Sequence, residues 1–244
     1  MPALSEIKTE GNLKLCIYGT SGAGKTVAAA SFPYPMLYLD FDSKVDSAAL
    51  FYRDDKERLA GIDVRELGAH MTLDPMGELN KIITSELIPQ QHAGAMKYKT
   101  IVLDSLTTFS SLTLNHIIKT NPGVKRVMSK QGSQPNMADY GILRREFQKL
   151  IPGLLSLPCN IVMLGHVTTE KDENTGQIWR GIHMDGSFAR DLPIYFKEVY
   201  HAFVDNTGKY QWQTKSNAQY TCRSQIPGLP ASIEAGYENL AKYL

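Results

Sequence analysis

The segment 19–26 reads Gly-Thr-Ser-Gly-Ala-Gly-Lys-Thr and fits the pattern G-x-x-x-x-G-K-[ST]. An apolar run at 13–18 precedes it and the Ala-rich segment 27–30 follows, so the pattern lies between a predicted strand and a predicted helix. Glycine lets the backbone turn tightly enough to present a concave row of N–H groups to a triphosphate. The motif therefore predicts an ATP-binding loop, which consists of Gly19, Thr20, Ser21, Gly22, Ala23, Gly24, Lys25 and Thr26.

The last two residues of the motif carry the side chains that act on the phosphates. We expect Lys25 to reach the β- and γ-phosphates, and the Thr26 hydroxyl to bind the Mg²⁺ that bridges them. The predicted helix that starts near Lys25 points its positive end at the same anion. The alternative is a glycine-rich turn that binds nothing, and the flanking strand and helix disfavour it.

Short apolar runs alternate with helix-like stretches along the chain, which predicts an α/β fold with a mostly parallel twisted sheet and helices on both faces. After residue 203 the pattern predicts a β-hairpin, with strands at 200–204 and 210–214 joined by a turn at 205–208. A terminal helix is predicted over 231–244, behind a Pro-Gly-Leu-Pro break. The sequence predicts six buried strands, which are 13–18, 36–40, 63–67, 100–103, 160–164 and 199–204. The last of them is also the first strand of the hairpin.

Length, charge and cysteine content narrow the classes of protein. The 244 residues suit one α/β domain over 1–244 with a short lead at 1–12, and the formal net charge of +1 means that any attraction to nucleic acid must come from local patches. We find neither an apolar run that could span a membrane nor a signal peptide, and therefore expect a cytoplasmic protein. Three widely spaced cysteines indicate neither a zinc site nor a disulfide framework.

Acidic or polar residues follow three of the predicted strands, and the carboxyl ends of parallel strands meet where ligands bind. Asp104 ends the strand at 100–103 and is expected to hold Mg²⁺ through water in the Walker B role. Asp40 and Asp42 follow the strand at 36–40, and either of them could activate water, although a helix-capping role is equally open for Asp40. We favour Asp42 as the general base and interpret His166 as a sensor of the γ-phosphate, against the alternative of an ordinary surface histidine.

Two loops carry local positive charge. Residues 105–138 contain no Asp or Glu but include Lys119, Lys125, Arg126 and Lys130, which predicts a DNA-binding loop or, alternatively, a solvated loop with incidental lysines. A second polar segment at 167–191 contains Lys171, Trp179 and Arg180. Trp179 could stack on an unpaired base or pack on its own domain.

The phosphate loop, the acidic residue after the next strand, the Asp104-Ser105 pair and the polar His166 after a further strand together resemble the RecA-like recombinase core. The chain is most similar in this pattern to the small phage and prophage RecA-like ATPases of single-strand annealing. The resemblance implies an ATPase that binds single-stranded DNA through 119–139 and 168–189 and promotes annealing or strand exchange. It also implies a homo-oligomeric ring or filament in which Lys215 and Arg223 reach the neighbouring subunit's ATP site, and a possible single-strand binding protein as partner.

Two other functions fit a phosphate loop. The first is a P-loop kinase, although the mixed-charge segment 167–191 is a poor candidate for the Arg-rich lid of such an enzyme. The second is a regulatory or packaging protein that binds nucleotide without acting on DNA strands. Turnover that responds to single-stranded DNA distinguishes the leading hypothesis from both.

Overall fold

The computed structural model describes residues 11–121, 128–129, 132–171, 173, 176 and 178–244. Strands and helices alternate through most of this range. The strands are β1 Lys14–Gly19, β2 Met36–Asp40, β3 Ile62–Glu66, β4 Thr100–Asp104, β5 Met128–Ser129, β6 Gly132–Ser133, β7 Asn160–Lys171, β8 Ile178–Ile182, β9 Glu198–Val204, β10 Tyr210–Gln213 and β11 Ser232–Glu234.

Most of the helices lie between these strands. Two irregular turns extend them: a π-helical stretch, Ile83–Leu87, joins the fourth and fifth helices, and a 3-10 turn, Leu192–Tyr195, follows the eighth. The α-helices are α1 Lys25–Ala29, α2 Asp46–Phe51, α3 Lys56–Ala60, α4 Pro75–Ile82, α5 Ile88–His92, α6 Leu106–Thr120, α7 Met137–Leu155, α8 Phe188–Asp191 and α9 Tyr237–Ala241.

The main sheet has the strand order β11-β10-β9-β1-β7-β4-β2-β3, and β8 pairs with the extension of β7. The six strands from β9 to β3 in that order run parallel to one another. β10 pairs in the antiparallel sense with both of its neighbours, β9 and β11. The predicted fold class, a mostly parallel α/β sheet with a C-terminal hairpin, is confirmed. The order places β7 between β1 and β4, so the phosphate loop and the Asp104 strand end lie two strands apart on the same edge.

The central strands are buried on both faces, and alternate side chains enter two separate cores. Ile101 and Leu103 of β4 lie in the core that α4, α6 and α7 cover, whereas Val102 lies in the core that includes Ala28 and Ala29 of α1. This two-residue period is the expected result of a pleated strand between helical layers. Continuous apolar runs therefore predicted these strands well.

The C-terminal segment differs from the sequence prediction. Residues predicted as one helix over 231–244 instead form the edge strand β11 and the short helix α9. Ile233 of β11 pairs with Trp212 of β10, and this pairing fixes 232–234 in extended form. Gly236 then turns the chain with a φ of 136° before α9 begins.

Strand bounds also differ at several ends. β1 and β3 are displaced from 13–18 and 63–67 by one residue, and β7 continues well beyond the predicted 160–164 to Lys171 because its end pairs with β8. No helix among the described residues is long and apolar enough to cross a membrane.

Candidate nucleotide-binding site

The phosphate loop connects the buried strand β1 to α1, as its sequence predicts. Gly22 and Gly24 have φ angles of 80° and 74°, a region that disfavours any side chain. Gly19 is required for a different reason, because a Cβ atom there would lie 2.3 Å from the carbonyl oxygen of Ala202 on β9. The three glycines therefore meet two distinct needs, a tight turn and a close approach between neighbouring strands.

Lys25 lies at the start of α1 with its ammonium group folded over the loop. Its Nζ donates hydrogen bonds to the carbonyl oxygens of Gly19, at 3.0 Å, and Thr20, at 2.8 Å. Burial lowers the pKa of this ammonium, while the nearby carboxylates of Asp104 and Asp42 act in the opposite direction. The position places a cation inside the loop that is predicted to bind phosphate.

Asp104 ends β4 in a buried position beside Thr26. The Thr26 hydroxyl and the Tyr38 hydroxyl each donate to Oδ2 of Asp104 at 2.7 Å. Burial raises the pKa of Asp104, and these two hydrogen bonds oppose the rise. A hydroxyl and a carboxylate in direct contact are hard oxygen donors of the kind that Mg²⁺ prefers, so this pair fits the predicted metal site.

The two aspartates after β2 have different surroundings. Both carboxylate oxygens of Asp40 accept backbone N–H groups, from Asp42, Lys44 and Val45, each at 3.0 Å. The Asp40 side chain therefore holds the turn after β2 in place. These three N–H groups precede α2, whose N-cap is Val45 and has no side-chain cap hydrogen bond, so Asp40 supports the turn and does not cap the helix.

Asp42 faces the cleft. The Ser105 hydroxyl donates to its Oδ1 at 3.0 Å, and Nε2 of His166 lies 3.4 Å from its Oδ2. Burial alone would raise the pKa of Asp42, but hydrogen bonds from His166, Thr108 and Ser105 outweigh it and hold the pKa at about 2. Asp42 is thus an ionised carboxylate near the phosphate loop.

His166 is fixed by backbone contacts on β7, opposite Gly19 of β1. Its N–H donates to Oγ1 of Thr107 at 2.9 Å, and the same hydroxyl donates to the carbonyl oxygen of His183 at 2.7 Å. The side chain retains 30% exposure and borders the cleft. The structure therefore brings His166 and Asp42 together across the end of β4, which lies between β7 and β2 in the sheet.

Two cavities adjoin at the phosphate loop. The phosphate cleft, about 330 Å³, is bordered by 21–27 together with Asp42, Asp104, His166 and Tyr210. The side pocket, about 560 Å³, lies along the outer face of α1. Its wall includes the aromatic residues Phe51, Tyr52, Tyr210 and Tyr237 together with Arg58, Lys209 and residues 234–239.

Residues 11–225, which make up most of the chain, match the AAA domain family (AAA_24). The chain belongs to this AAA domain family. The phosphate loop and the mostly parallel sheet give this AAA domain the α/β P-loop fold that the sequence predicted. No curated protein sequence matches the chain.

Solved structures with a similar fold include two that are distant in sequence. One is a KaiC-like protein of the hyperthermophilic archaeon Pyrococcus horikoshii OT3, with 10% identity and a TM-score of 0.41 over 82% of this chain and 76% of that one. The other is the RadB recombinase, with 9% identity and a TM-score of 0.48 over 82% of this chain and 79% of that one.

The candidate finger residues lie apart from the AAA domain's own cleft. Lys215 and Arg223 are exposed, and neither borders the phosphate cleft or the side pocket. The backbone of Arg223 is fixed by reciprocal hydrogen bonds with Val199 of β9, at 2.7 and 2.8 Å. Their role in a neighbouring subunit's site stays a prediction.

The candidate DNA-binding residues occupy mixed environments. Lys119, at the end of α6, and Lys171, at the end of β7, are exposed, whereas Lys125, Arg126 and Lys130 lie outside the described residues. Arg180 is partly buried; it donates to Oε1 of Gln219 and lies over the Tyr220 ring, 5.3 Å from its centre. Arg180 thus has partners within the domain.

Trp179 packs on its own domain, which was one of its two predicted environments. Its Nε1 donates to the Thr221 hydroxyl at 2.8 Å, and the Arg190 guanidinium lies 5.9 Å from the ring centre. A Cβ atom at Gly181 would lie 2.3 Å from this ring. The ring is therefore held between β8 and the segment around Thr221.

Sequence reasoning missed two tyrosines of the site. Tyr38 has a partial sequence signal, because strand alternation places it on the same side of β2 as Asp40. Tyr210 has none, because it reaches the phosphate loop only through the pairing of the C-terminal hairpin with β1. Ser105 was noted beside Asp104, but its hydrogen bond to Asp42 was not foreseen.

Proposed function

We propose that this protein hydrolyses ATP in a Mg²⁺-dependent manner, binds single-stranded DNA and promotes annealing or strand exchange of the kind found in phage-type recombination. The observation that carries the proposal is the convergence of Lys25, Thr26, Asp104, Asp42 and His166 on one cleft. An ionised carboxylate beside the phosphate loop can orient and activate a water molecule for attack on the γ-phosphate. That carboxylate supports hydrolysis.

Each residue of the cleft has a distinct role in this proposal. The loop amides bind the phosphates, Lys25 exchanges its loop carbonyl partners for phosphate oxygens, and Thr26 and Asp104 hold the Mg²⁺. A Mg²⁺ ion held by Thr26 and Asp104 would supply positive charge that neutralises the charge developing on the phosphates. Asp42 orients a water molecule and accepts its proton as the water oxygen attacks the γ-phosphorus and the bond to the β–γ bridging oxygen breaks.

His166 links the γ-phosphate position to the β7–β8 hairpin. Its side chain lies beside Asp42, and its backbone carbonyl accepts the N–H of His183, just after β8, at 2.7 Å. In the proposal, a change in the His166 side chain when phosphate binds is transmitted along β7 to Lys171 at the far end of that strand. Lys119, Lys171 and Arg180 are the described cations assigned to DNA, and Lys125, Arg126 and Lys130 complete that assignment.

Assembly of several subunits forms part of the proposal. The surface position of Lys215 and Arg223 supports their action at the ATP site of a neighbouring subunit, where cations would stabilise charge on the transferred phosphoryl group. A ring or a filament of head-to-tail subunits provides this arrangement. A single-strand binding protein is a further proposed partner.

The decisive experiment measures ATP hydrolysis by the purified protein with and without single-stranded DNA. Lys25→Ala serves as the blank, because it removes the phosphate-binding ammonium without touching the proposed DNA loops. Stimulation by the strand supports the complete proposal. A measurable rate that is indifferent to DNA contradicts the DNA-dependent part, and a wild-type rate equal to the Lys25→Ala blank contradicts hydrolysis itself.

One observation favours a second function, a regulatory or packaging ATPase without strand activity. Arg180 and Trp179, two of the side chains considered for DNA contact, have partners within their own domain. A DNA-independent rate would support this alternative. The annealing rate of complementary oligonucleotides in the presence of ATP then separates it from the leading proposal.

A further inference from the structure

The phosphate cleft and the side pocket share three bordering residues, Gly24, Val27 and Tyr210. Gly24 and Val27 belong to the loop and to α1, so they form the floor where the cavities meet. Tyr210 comes from the start of β10, in a distant part of the sequence, and forms the opposite wall. A ligand that extends from one cavity to the other must pass alongside this ring, which borders both of them.

The Tyr210 ring lies directly against the phosphate loop. A Cβ atom built on Gly24 would lie 2.7 Å from Cδ1 of Tyr210 and 3.2 Å from its Cε1 and Cγ. The space above the last glycine of the motif is therefore filled by an aromatic ring from the hairpin. The φ of 74° at Gly24 independently disfavours a side chain there.

The backbone of Tyr210 is held on both sides while its ring stays accessible. Tyr210 pairs with Val204 of β9, and its carbonyl oxygen accepts the N–H of Ala235 at 2.9 Å. The residue is 48% exposed, and within the described part of the chain no hydrogen bond involves its hydroxyl. A rigid backbone with a half-exposed aromatic ring is a suitable platform for a flat or apolar ligand surface.

We propose that Tyr210 is a nucleoside-positioning residue, whose ring packs on the sugar and the adjoining base edge of a nucleoside triphosphate where the ligand crosses between the two cavities. The inference rests on the proposed binding of ATP to this loop and adds the residue that distinguishes a nucleotide from a bare polyphosphate. The phosphates contact the loop amides and Lys25, which Tyr210 does not replace. Loss of the ring therefore weakens the nucleoside contact alone.

Equilibrium binding of two ligands tests this role, namely ATP and inorganic tripolyphosphate, each with Mg²⁺ and measured by calorimetry. The variants are Tyr210→Ala, which removes the ring, and Tyr210→Phe, which keeps it. We expect Tyr210→Ala to weaken ATP binding about ten-fold and to leave tripolyphosphate binding within about two-fold, because an aromatic contact is worth about that much. Tyr210→Phe should bind both ligands like the wild type.

Two further variants serve as controls. Tyr243→Ala removes a tyrosine that is 37% exposed and borders neither cavity, so both affinities should stay at wild-type values. Gly24→Ala places a Cβ against the Tyr210 ring at a strained φ and should weaken both ligands, which gives the signature of a damaged loop. Circular dichroism spectra that match the wild type establish that each variant is folded.

Four results would overturn the inference. Equal weakening of ATP and tripolyphosphate in Tyr210→Ala assigns the ring to support of the loop, and no weakening of either ligand removes it from the site. If the wild-type protein binds tripolyphosphate as tightly as ATP, then Tyr210 makes no contact with the nucleoside. The phosphate loop would still bind phosphate in that case. Wild-type protein that binds neither ligand contradicts the proposed nucleotide-binding function as well.

Discussion

Two carboxylates that are separated by a single residue have different physical roles in this site. Asp40 is 1% exposed, and its oxygens are occupied by three backbone N–H groups, so it holds the turn that follows β2. Among the described residues, the partners of the Asp42 carboxylate are side chains, including those of Ser105 after β4 and His166 on β7. This difference supports the proposal that Asp40 acts in folding and Asp42 in the chemical step.

Substitution of each aspartate by asparagine separates the two roles. We expect Asp42→Asn to lower kcat by about 100-fold, the lower range for loss of a general base, with ATP affinity close to wild type. Asp40→Asn should instead lower the free energy of unfolding by about 1–3 kcal/mol, because its buried amide offers only one acceptor oxygen. Steady-state kinetics and chemical denaturation of both variants provide the measurement. Equal kinetic losses at unchanged stability would contradict the assignment.

The low pKa of Asp42 predicts a specific response to acid. The folded-state pKa is about 2, below the ordinary 3.8, so ionised Asp42 contributes stability above its unfolded pKa and loses that contribution as the pH falls through the folded pKa. In the Asp42→Asn variant, which has no such group, the free energy of unfolding should fall less steeply between pH 4 and about 2. Urea denaturation at several pH values compares the two proteins. Parallel curves would show that the hydrogen bonds to Asp42 do not lower its pKa.

The hydroxyl of Tyr38 is expected to tune the metal site through Asp104. It donates to Oδ2 of a carboxylate whose pKa burial has already raised. Tyr38→Phe should allow that pKa to rise further, so protons compete better and the Mg²⁺ concentration for half-maximal hydrolysis should rise about ten-fold. The ring itself stays in place, which limits the change to one hydrogen bond.

Tyr98→Phe is the matched control for this prediction. Its hydroxyl also donates to a carboxylate, that of Asp63, at 2.9 Å, but outside both cavities. The Mg²⁺ dependence of this variant should match the wild type. A similar shift in both variants would point to a general loss of stability instead of a local effect on Asp104.

At the scale of elements, local patterns predicted the parallel core well and the C-terminal edge poorly. The run 36–40 matches β2 at both ends, because a strand buried on both faces must be apolar throughout. By contrast, Ser232–Glu234 carry alternating burial and become a strand through their pairing with β10. A helix and an edge strand of this length cannot be distinguished without knowledge of that partner.

The candidate site also contains both parts that a local pattern predicts and parts that depend on long-range strand pairing. The eight residues of the phosphate loop are contiguous, so their spacing in the sequence carries the geometry. Tyr38 and Asp104 are 66 residues apart, and Tyr210 reaches Gly24 only after β9 has paired with β1. Contacts of this kind depend on strand order, which the sequence pattern alone did not specify.

The side chain of Asp205 organises the turn between β9 and β10. Oδ1 of Asp205 accepts the N–H groups of Thr207 and Lys209 and the Thr207 hydroxyl, which fixes the two strands in register. Asp205→Ala should lower the melting temperature by about 2–5 °C. It should also weaken ATP binding, because Tyr210 begins β10 immediately after this turn.

Circular dichroism and calorimetry measure the two effects of Asp205→Ala. The control is Asp54→Ala, which removes a carboxylate whose side chain is 96% exposed and should change neither property. An Asp205→Ala variant that melts early but binds ATP normally would show that the position of Tyr210 is independent of the turn.

At the scale of the whole molecule, the proposed catalytic role of the finger candidates requires more than one subunit. Arg223 lies on the exposed surface and borders neither cavity of its own chain, although its backbone is firmly attached to β9. If Arg223 stabilises the transition state, the active unit is a contact between the loop of one subunit and the Arg223 of the next. Each such contact then needs an intact phosphate loop from one subunit and an intact Arg223 from the next.

Mixing two inactive variants tests this arrangement. Lys25→Ala lacks a working loop but keeps Arg223, and Arg223→Ala keeps the loop but lacks the cation, so each should be inactive alone. In an equimolar mixture about a quarter of the head-to-tail contacts join an intact loop to an intact Arg223, and we expect up to that fraction of wild-type turnover. A mixture as inactive as its components would contradict action between subunits. Full activity of Arg223→Ala alone would exclude this arginine from catalysis, and Lys215→Ala, examined in the same mixture, would then be the remaining candidate.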